Sequence, residues 1–194
     1  KGDAATGAIS TVAGTGEPGY SGDGGPGDQA MLREPNDCFL DGKGGLLIAD
    51  IQDQRIRRLD LATGIISTFA GNGEKVRAGD GKPALQASIL GARAVCMDSK
   101  GNTYIAEREG NGVRKVDASG VMSTFAGTGE RGYSGDGGPA FRIGVGIEHH
   151  LQRVESDIVL QNQGRHGKLF ARVGEGGILA PAPRRDNGKR AGVS

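Results

Sequence analysis

The chain repeats itself, and the length of the repeat limits what it can fold into. Ile9-Ser10-Thr11-Val12-Ala13-Gly14 returns as Ile66-Ser67-Thr68-Phe69-Ala70-Gly71 and again as Met122-Ser123-Thr124-Phe125-Ala126-Gly127, so the Ala-Gly step recurs after 57 and then 56 residues. Asp3, Asp60 and Asp117 keep the 57-residue offset, as do Asp41 with Asp98 and Ala49 with Ala106. The lost residue falls where Asp60-Leu61-Ala62-Thr63-Gly64 becomes Asp117-Ala118-Ser119-Gly120, a deletion that a turn absorbs. Such self-similarity means a repeat architecture, in which each unit hides its apolar face against its neighbour.

Within one repeat the pattern predicts four short strands, at about 36–41, 46–50, 55–60 and 65–70, with counterparts at about 93–98, 103–107, 112–117 and 121–126. The segments between them are rich in turn formers, such as Asp41-Gly42-Lys43-Gly44-Gly45, Thr63-Gly64 and Lys100-Gly101-Asn102. Gly and Asn tolerate the positive φ that tight hairpins demand. Glycine makes up 37 of the 194 residues. That excess fits the punctuation of many short strands rather than low complexity. Helical periodicity is missing from the repeats, so a helical solenoid is set aside. Four hairpin-connected strands per repeat make a propeller blade.

The same residues carry a family resemblance. Leu46-Leu47-Ile48-Ala49-Asp50 followed by Gln54-Arg55-Ile56-Arg57-Arg58-Leu59-Asp60 resembles the core of an NHL repeat, as does Thr103-Tyr104-Ile105-Ala106-Glu107 through Val113-Arg114-Lys115-Val116-Asp117. The Ser-Thr-(Val/Phe)-Ala-Gly segment followed by Tyr-Ser-Gly-Asp-Gly-Gly-Pro is similar to bacterial multi-repeat NHL proteins. The resemblance spans residues 1–140. It implies an all-β fold, a partial β-propeller of NHL type, with two complete four-stranded blades plus part-blades. A closed ring takes typically four to eight blades. Two blades therefore imply a fragment, a broken gene model or assembly with other copies, through open blade edges that invite self-association. An extracellular or periplasmic setting is the expectation for the compartment.

Asp50 and Arg55 are expected to be structural, either paired with each other or bonded to backbone within the blade. The second copy departs from the pattern, with Glu107 for Asp50 and Gly112 for Arg55. The inter-blade segments 14–35 and 71–92 are 22 residues each. That is longer than loops without structure usually run. Their Asp23, Asp28 and Asp80, with Asp136 further on, are candidates for Ca²⁺, which takes oxygen ligands. Against this, Asp-Gly pairs simply make turns, so no cofactor is expected, with Ca²⁺ at Asp23, Asp80 and Asp136 as the alternative.

Other motifs carry less. Gly14-Thr15-Gly16-Glu17-Pro18-Gly19 fits G-x-G-x-x-G, but the Tyr20-Ser21-Gly22-Asp23-Gly24-Gly25-Pro26 that follows cannot open the helix a pyrophosphate needs. Gly81-Lys82 runs into Pro83, so it is no P-loop. Cys38 and Cys96 sit one residue out of register between repeats. In a strand that places them on opposite faces, and both are expected as buried, unbridged thiols. All three histidines, His149, His150 and His166, lie beyond residue 140.

Residues 141–194 do not continue the repeat and are expected to form an unrelated, non-propeller tail, either fused or read in another frame. Ile147, Leu151, Val154 and Ile158 follow helical spacing, predicting a helix over 146–163. The Pro/Arg-rich run at 180–185 then has a disordered composition. Charge shifts at the same boundary: residues 1–140 hold 15 Lys/Arg against 18 Asp/Glu, and 141–194 hold 9 against 5. The net −3 of the repeats argues against nucleic acid, which needs clustered cations. No run approaches the roughly 20 apolar residues of a membrane helix. Together these features predict a binding module for a protein or small-molecule ligand at a propeller face, without catalysis. The alternative is a metal-dependent, Ca-type lyase or lactone hydrolase on the same fold.

Overall fold

The structure, a computed structural model, describes residues 2–132 and the backbone of four later segments, 149–154, 157–162, 170–174 and 177–179. Two four-stranded antiparallel sheets form in strict serial order. Blade 1 comprises β1 (Pro35–Leu40), β2 (Gly45–Asp50), β3 (Arg55–Asp60) and β4 (Ile66–Ala70). Blade 2 comprises β5 (Ala92–Met97), β6 (Thr103–Glu107), β7 (Gly112–Val116) and β8 (Met122–Ala126). These bounds match the expected strands to within a residue or so. Three-residue 3-10 turns, Gly27–Gln29 and Ala84–Gln86, are the helical elements among the described residues.

Alternation along each strand decides which blade a side chain serves. Leu47 and Ala49 on β2 join Val95, Met97 and Ile105 in the seam between the blades. Their neighbours Leu46 and Ile48 face the other way, toward Val12, Leu32 and Leu59. In blade 2 the period repeats: Ile105 faces blade 1, while Tyr104 and Ala106 face away from it. Leu47, Ile56, Ile89 and Ile105 are fully buried in the seam. Each contributes about 1.5–3 kcal/mol of transfer free energy, so apolar packing rather than surface pairing holds the blades together. The inner strands add polar ties. Asn36 Nδ2 donates to the Arg93 carbonyl at 2.9 Å, and Val95 N–H donates to Asp37 Oδ2 at 3.0 Å.

The turns obey the repeat as closely as the strands. Gln54 and Asn111, one repeat apart, are the two non-glycine residues with positive φ among the described residues, at 57° and 45°. Asp41 and Asp98 each close a β-hairpin by accepting two backbone N–H groups. Cys38 and Cys96 form no disulfide; Cys96 is buried as expected, whereas Cys38 is exposed.

The later segments correct the expected helix at 146–163. His149–Val154 (β9) and Asp157–Asn162 (β10) are strands, followed by Phe170–Gly174 (β11) and Gly177–Leu179 (β12) in a third four-stranded sheet. Leu151 pairs with Leu160 and Val154 with Asp157. The spacing of Leu151, Val154 and Ile158 therefore samples two paired strands rather than one helical face, and β-branched Ile158 and Val159 favour the extended state. β11 and β12 likewise stand where disorder was expected. β9 lies beside β5 as β5 lies beside β1. Residues 180–194, His166 and Asp136 lie outside the described residues.

Gly71 shows how tightly the loop enters the next blade. Its φ is +92°, and a Cβ there would run into the Gln54 carbonyl and meet Arg55 Cα at 3.1 Å. Gly71→Ala is expected to destabilise the protein by roughly 1–3 kcal/mol, seen as a lower urea midpoint. An unchanged midpoint would show the loop can move away.

Candidate functional site

The two long inter-blade segments are not free loops. Each folds back over the outer strand of the blade that follows it, through equivalent backbone bonds. Gly14 N–H donates to Gly27 O and Ile66 N–H to Gly25 O in the first, as Gly71 N–H does to Ala84 O and Met122 N–H to Lys82 O in the second. What anchors them is a buried arginine.

Arg57 is the third residue of β3, and its side chain is wholly buried. Its Nη2 donates to Asp23 Oδ1 at 2.6 Å and to the Ser21 carbonyl at 3.1 Å, and Nη1 reaches the Met31 carbonyl at 3.4 Å. One guanidinium thus holds three points of the loop. Asp23 is further bound by Thr68 Oγ1 at 2.7 Å and the Tyr20 hydroxyl at 2.9 Å. In blade 2, Arg114 takes the same place, also fully buried, with Asp80 at 2.8 Å, Ser88 O at 2.9 Å and Ala78 O at 3.2 Å. Partial burial works against the charge on both aspartates. Hydrogen bonds from Thr68 and Tyr20 to Asp23, and from Thr124 to Asp80, together with the arginines, nonetheless hold both carboxyls below the usual carboxylate value.

Asp50 and Arg55 are opposite in register on β2 and β3, yet they do not pair with each other. Asp50 is completely buried and accepts the backbone N–H groups of Arg33 at 2.9 Å and Glu34 at 2.8 Å. Arg55 turns outward, bridges Asp53 at 3.0 Å and the Asn72 carbonyl at 2.8 Å, and stacks on the Tyr20 ring with Cζ 3.8 Å from its centroid. Burial, with Asp50 nearby, raises the Asp53 pKa against the pull of Arg55.

Blade 2 rebuilds this corner with different residues. Glu107 keeps the capping bond, accepting Leu90 N–H at 2.9 Å, and its longer side chain also binds Arg77 Nε at 2.7 Å. Arg77 stands one repeat after Tyr20, and Gly112 stands where Arg55 does. A Cβ at residue 112 would meet Arg77 Nη2 at 2.7 Å, so the glycine makes room for the incoming guanidinium. The cation has moved from the strand to the loop. Burial pushes the Glu107 pKa up, opposed by Leu90 N–H and by Arg114 and Arg77.

The recurring carboxylates are thus engaged by protein donors. Asp23 and Asp80 lie in separate loops, each on its own arginine. Among the described residues no three His, Cys, Asp or Glu side chains come together as a metal group would require. The repetition of Arg57 and Arg114 at the blade period was visible in the sequence, and pairing it with the Asp23/Asp80 repetition would have found the latch.

Among the described residues an apolar surface stays open to solvent. The face of blade 1 turned away from blade 2 carries a groove of about 770 Å³, whose apolar lining includes Val12, Pro26, Leu40, Leu46, Leu59 and Leu61.

These features define a partial β-propeller whose blades are latched by their own connecting loops. Among curated proteins, the chain is 33% identical over 97 residues to Teneurin-3 from Danio rerio and 31% identical over 97 residues to Teneurin-3 from Mus musculus. Each match covers 44% of this chain and spans only 4% of the relative's length. No protein-family model matches. Among solved structures, a protein of unknown function from Bacteroides thetaiotaomicron superposes with a TM-score of 0.59 at 18% identity, over 80% of this chain and 37% of its own. Virginiamycin B lyase from Staphylococcus aureus, a catalytically inactive His-to-Ala variant with quinupristin, gives a TM-score of 0.50 at 13% identity over 80% and 43%. At these identities the likeness is one of fold. No helix among the described residues is long and apolar enough to cross a membrane.

The latch predicts an asymmetry. Asp23→Ala strands a buried cation, which costs on the order of 3–5 kcal/mol, whereas Arg57→Met leaves Asp23, 38% exposed, able to hydrate and costs less. Chemical denaturation of the two variants checks the order, and the reverse order would refute it. Because both latch carboxyls titrate below their unfolded value of about 3.8, their stabilising contribution is complete above that pH. It is lost as the pH falls through the folded-state value. Asp23→Ala should weaken that acid sensitivity.

Proposed function

We propose that the chain is part of an NHL-type β-propeller that acts as a binding module without chemistry of its own. The observation that carries this is the fate of the recurring carboxylates. Asp23 and Asp80 each serve a buried arginine of their own blade, and Asp50 and Glu107 cap the backbone that leads into it. A catalytic centre brings unlike residues to one place, whereas these groups recur with every blade and serve it. The similarity to Teneurin-3 and the propeller-like neighbours support the NHL assignment. Propellers present loops on the faces of a rigid ring, which suits recognition of a protein or small-molecule ligand. An extracellular or periplasmic setting belongs to the same proposal, and the net −3 charge of residues 1–140 disfavours nucleic acid as the ligand.

The runner-up is a Ca-type lyase or lactone hydrolase on the same fold, and its fold likeness to virginiamycin B lyase speaks for it. That lyase loses activity when one histidine is replaced, while this chain has no histidine before His149. Calorimetric titration with Ca²⁺ separates the two. The module gives no stoichiometric heat. A chelator-reversible site of micromolar affinity or better would overturn it and promote the enzyme.

A further inference from the structure

Between blades 1 and 2, at the end where the hairpins turn, lies a cleft of about 510 Å³. Both of its walls belong to described strands and turns. Blade 1 supplies Lys43, Arg58 and Phe69, and the segment entering blade 2 and that blade's own strands supply Leu85, Met97 and Val116. The volume falls within the roughly 300–1,000 Å³ usual for small-molecule sites. We propose that this cleft binds a small carboxylic acid with an apolar body, the carboxylate on the Lys43 ammonium and the body against Phe69, Leu85, Met97 and Val116. The site rests on the binding-module reading above and gives that module a ligand class.

Comparison of the two repeats shows a wall cut back and made apolar. Leu85 stands where the first repeat has Asp28, and Ala118 stands where it has Leu61. The turn after β7 is also one residue shorter than the turn after β3. A small side chain on a shorter turn leaves room that a leucine on the longer turn would take up. Leu85 is 56% exposed although the blades on both sides of it are in place. A lone exposed leucine on a surface needs no explanation. This one lines the mouth of a cleft whose depth is formed by Met97 and Val116, which are 7% and 2% exposed.

Charge selects the occupant. Asp41 lines the cleft but is fully engaged: Oδ1 accepts Lys43 N–H at 2.7 Å and Gly45 N–H at 2.8 Å, and Oδ2 accepts Arg58 Nε at 2.8 Å. Arg58 therefore already has its counter-ion. Lys43 does not. Among the described residues its ammonium has neither an ion pair nor a hydrogen bond. It lies 3.4 Å from where a Cβ at Gly101 would stand, so it reaches across the mouth to the first turn of blade 2. Asp117, on the blade 2 wall, turns Oδ1 to its own hairpin, accepting Ser119 N–H at 2.9 Å, Ser119 Oγ–H at 2.6 Å and Val121 N–H at 3.0 Å. An anion in the cleft is thus drawn to blade 1 and repelled from blade 2, which leaves its apolar end over the leucine and methionine.

Methionine-methyl NMR of the full 194-residue chain, titrated with phenylbutyrate and with the uncharged phenylbutanol, tests the proposal. The expected result is a saturable shift of the Met97 methyl, with Met31 and Met122 as internal references. The acid should bind several-fold more tightly than the alcohol, the range of an exposed ion pair. Lys43→Met should abolish that preference and leave the alcohol's affinity unchanged, and Leu85→Asp should weaken both. Both side chains are exposed, so neither substitution disturbs the core. Equal affinity for acid and alcohol would overturn the proposal, as would a preference that survives Lys43→Met. A titration that leaves Met97 unmoved would overturn it too. Each of these failures leaves the module reading intact, because that reading falls only to a Ca²⁺ heat, which the Met97 shift does not report.

Discussion

A guanidinium shut off from water keeps its charge only beside a carboxylate and a set of carbonyl acceptors, and each blade is arranged around meeting that requirement. Arg57 and Arg114 are the largest fully buried side chains of the described residues. Arg114 reaches Glu107 of its own sheet at 3.6 Å, but neither arginine makes its closest ion pair there. The partner comes from the preceding loop, as Asp23 or Asp80, and the remaining Nη donors take loop carbonyls. Removing the carboxylate leaves an uncompensated buried charge, the most expensive kind of single-site loss. The arginine therefore fixes the path of a 22-residue connection that has little regular structure of its own. With the loops fixed, Ala30 and Leu32, and likewise Ala87 and Ile89, are delivered into the core.

The corner around residue 50 shows which part of the design is rigid and which can be exchanged. Capping the chain's entry into the inner strand persists in both blades, by Asp50 in one and Glu107 in the other. The cation beside it does not keep its place. Blade 1 puts Arg55 on the strand and stacks it on Tyr20 from the loop, and blade 2 puts Arg77 on the loop and leaves Gly112 on the strand. The three changes form a unit. A longer acid reaches the loop cation, the loop aromatic becomes that cation, and the strand position empties to admit it. A single swap would either bury an unpaired charge or place two guanidinium groups in one corner.

Much of this was legible in the sequence. The 57-residue offset and its Gly/Asn/Asp turns gave strands within about a residue of Pro35–Leu40 through Met122–Ala126, because period-2 burial and turn chemistry act locally. Cys38 and Cys96 were correctly separated by register. The loops were harder. Asp23 and Asp80 look like turn formers or metal ligands until Arg57 and Arg114 are set beside them, and that pairing crosses more than thirty residues of chain. Asp50 and Arg55 were expected to pair with each other or to bond backbone, and in the structure each bonds backbone, Asp50 at the Arg33 and Glu34 amides and Arg55 at the Asn72 carbonyl. The helix expected at 146–163 failed for a plain reason. Apolar residues spaced three or four apart can also fall on two strands of a hairpin, and Leu151 opposite Leu160 is that case.

Carboxylates and arginines lock the connecting loops onto the blades they precede. Native-state hydrogen exchange measures this most directly, at the Arg33, Glu34 and Leu90 amides that donate to Asp50 and Glu107. If the loops are latched, these amides exchange only with the opening of the whole blade, at the rate of the central strands β2 and β6. Exchange at the rate of free loop amides, with the strands still protected, would show that the loops are not latched.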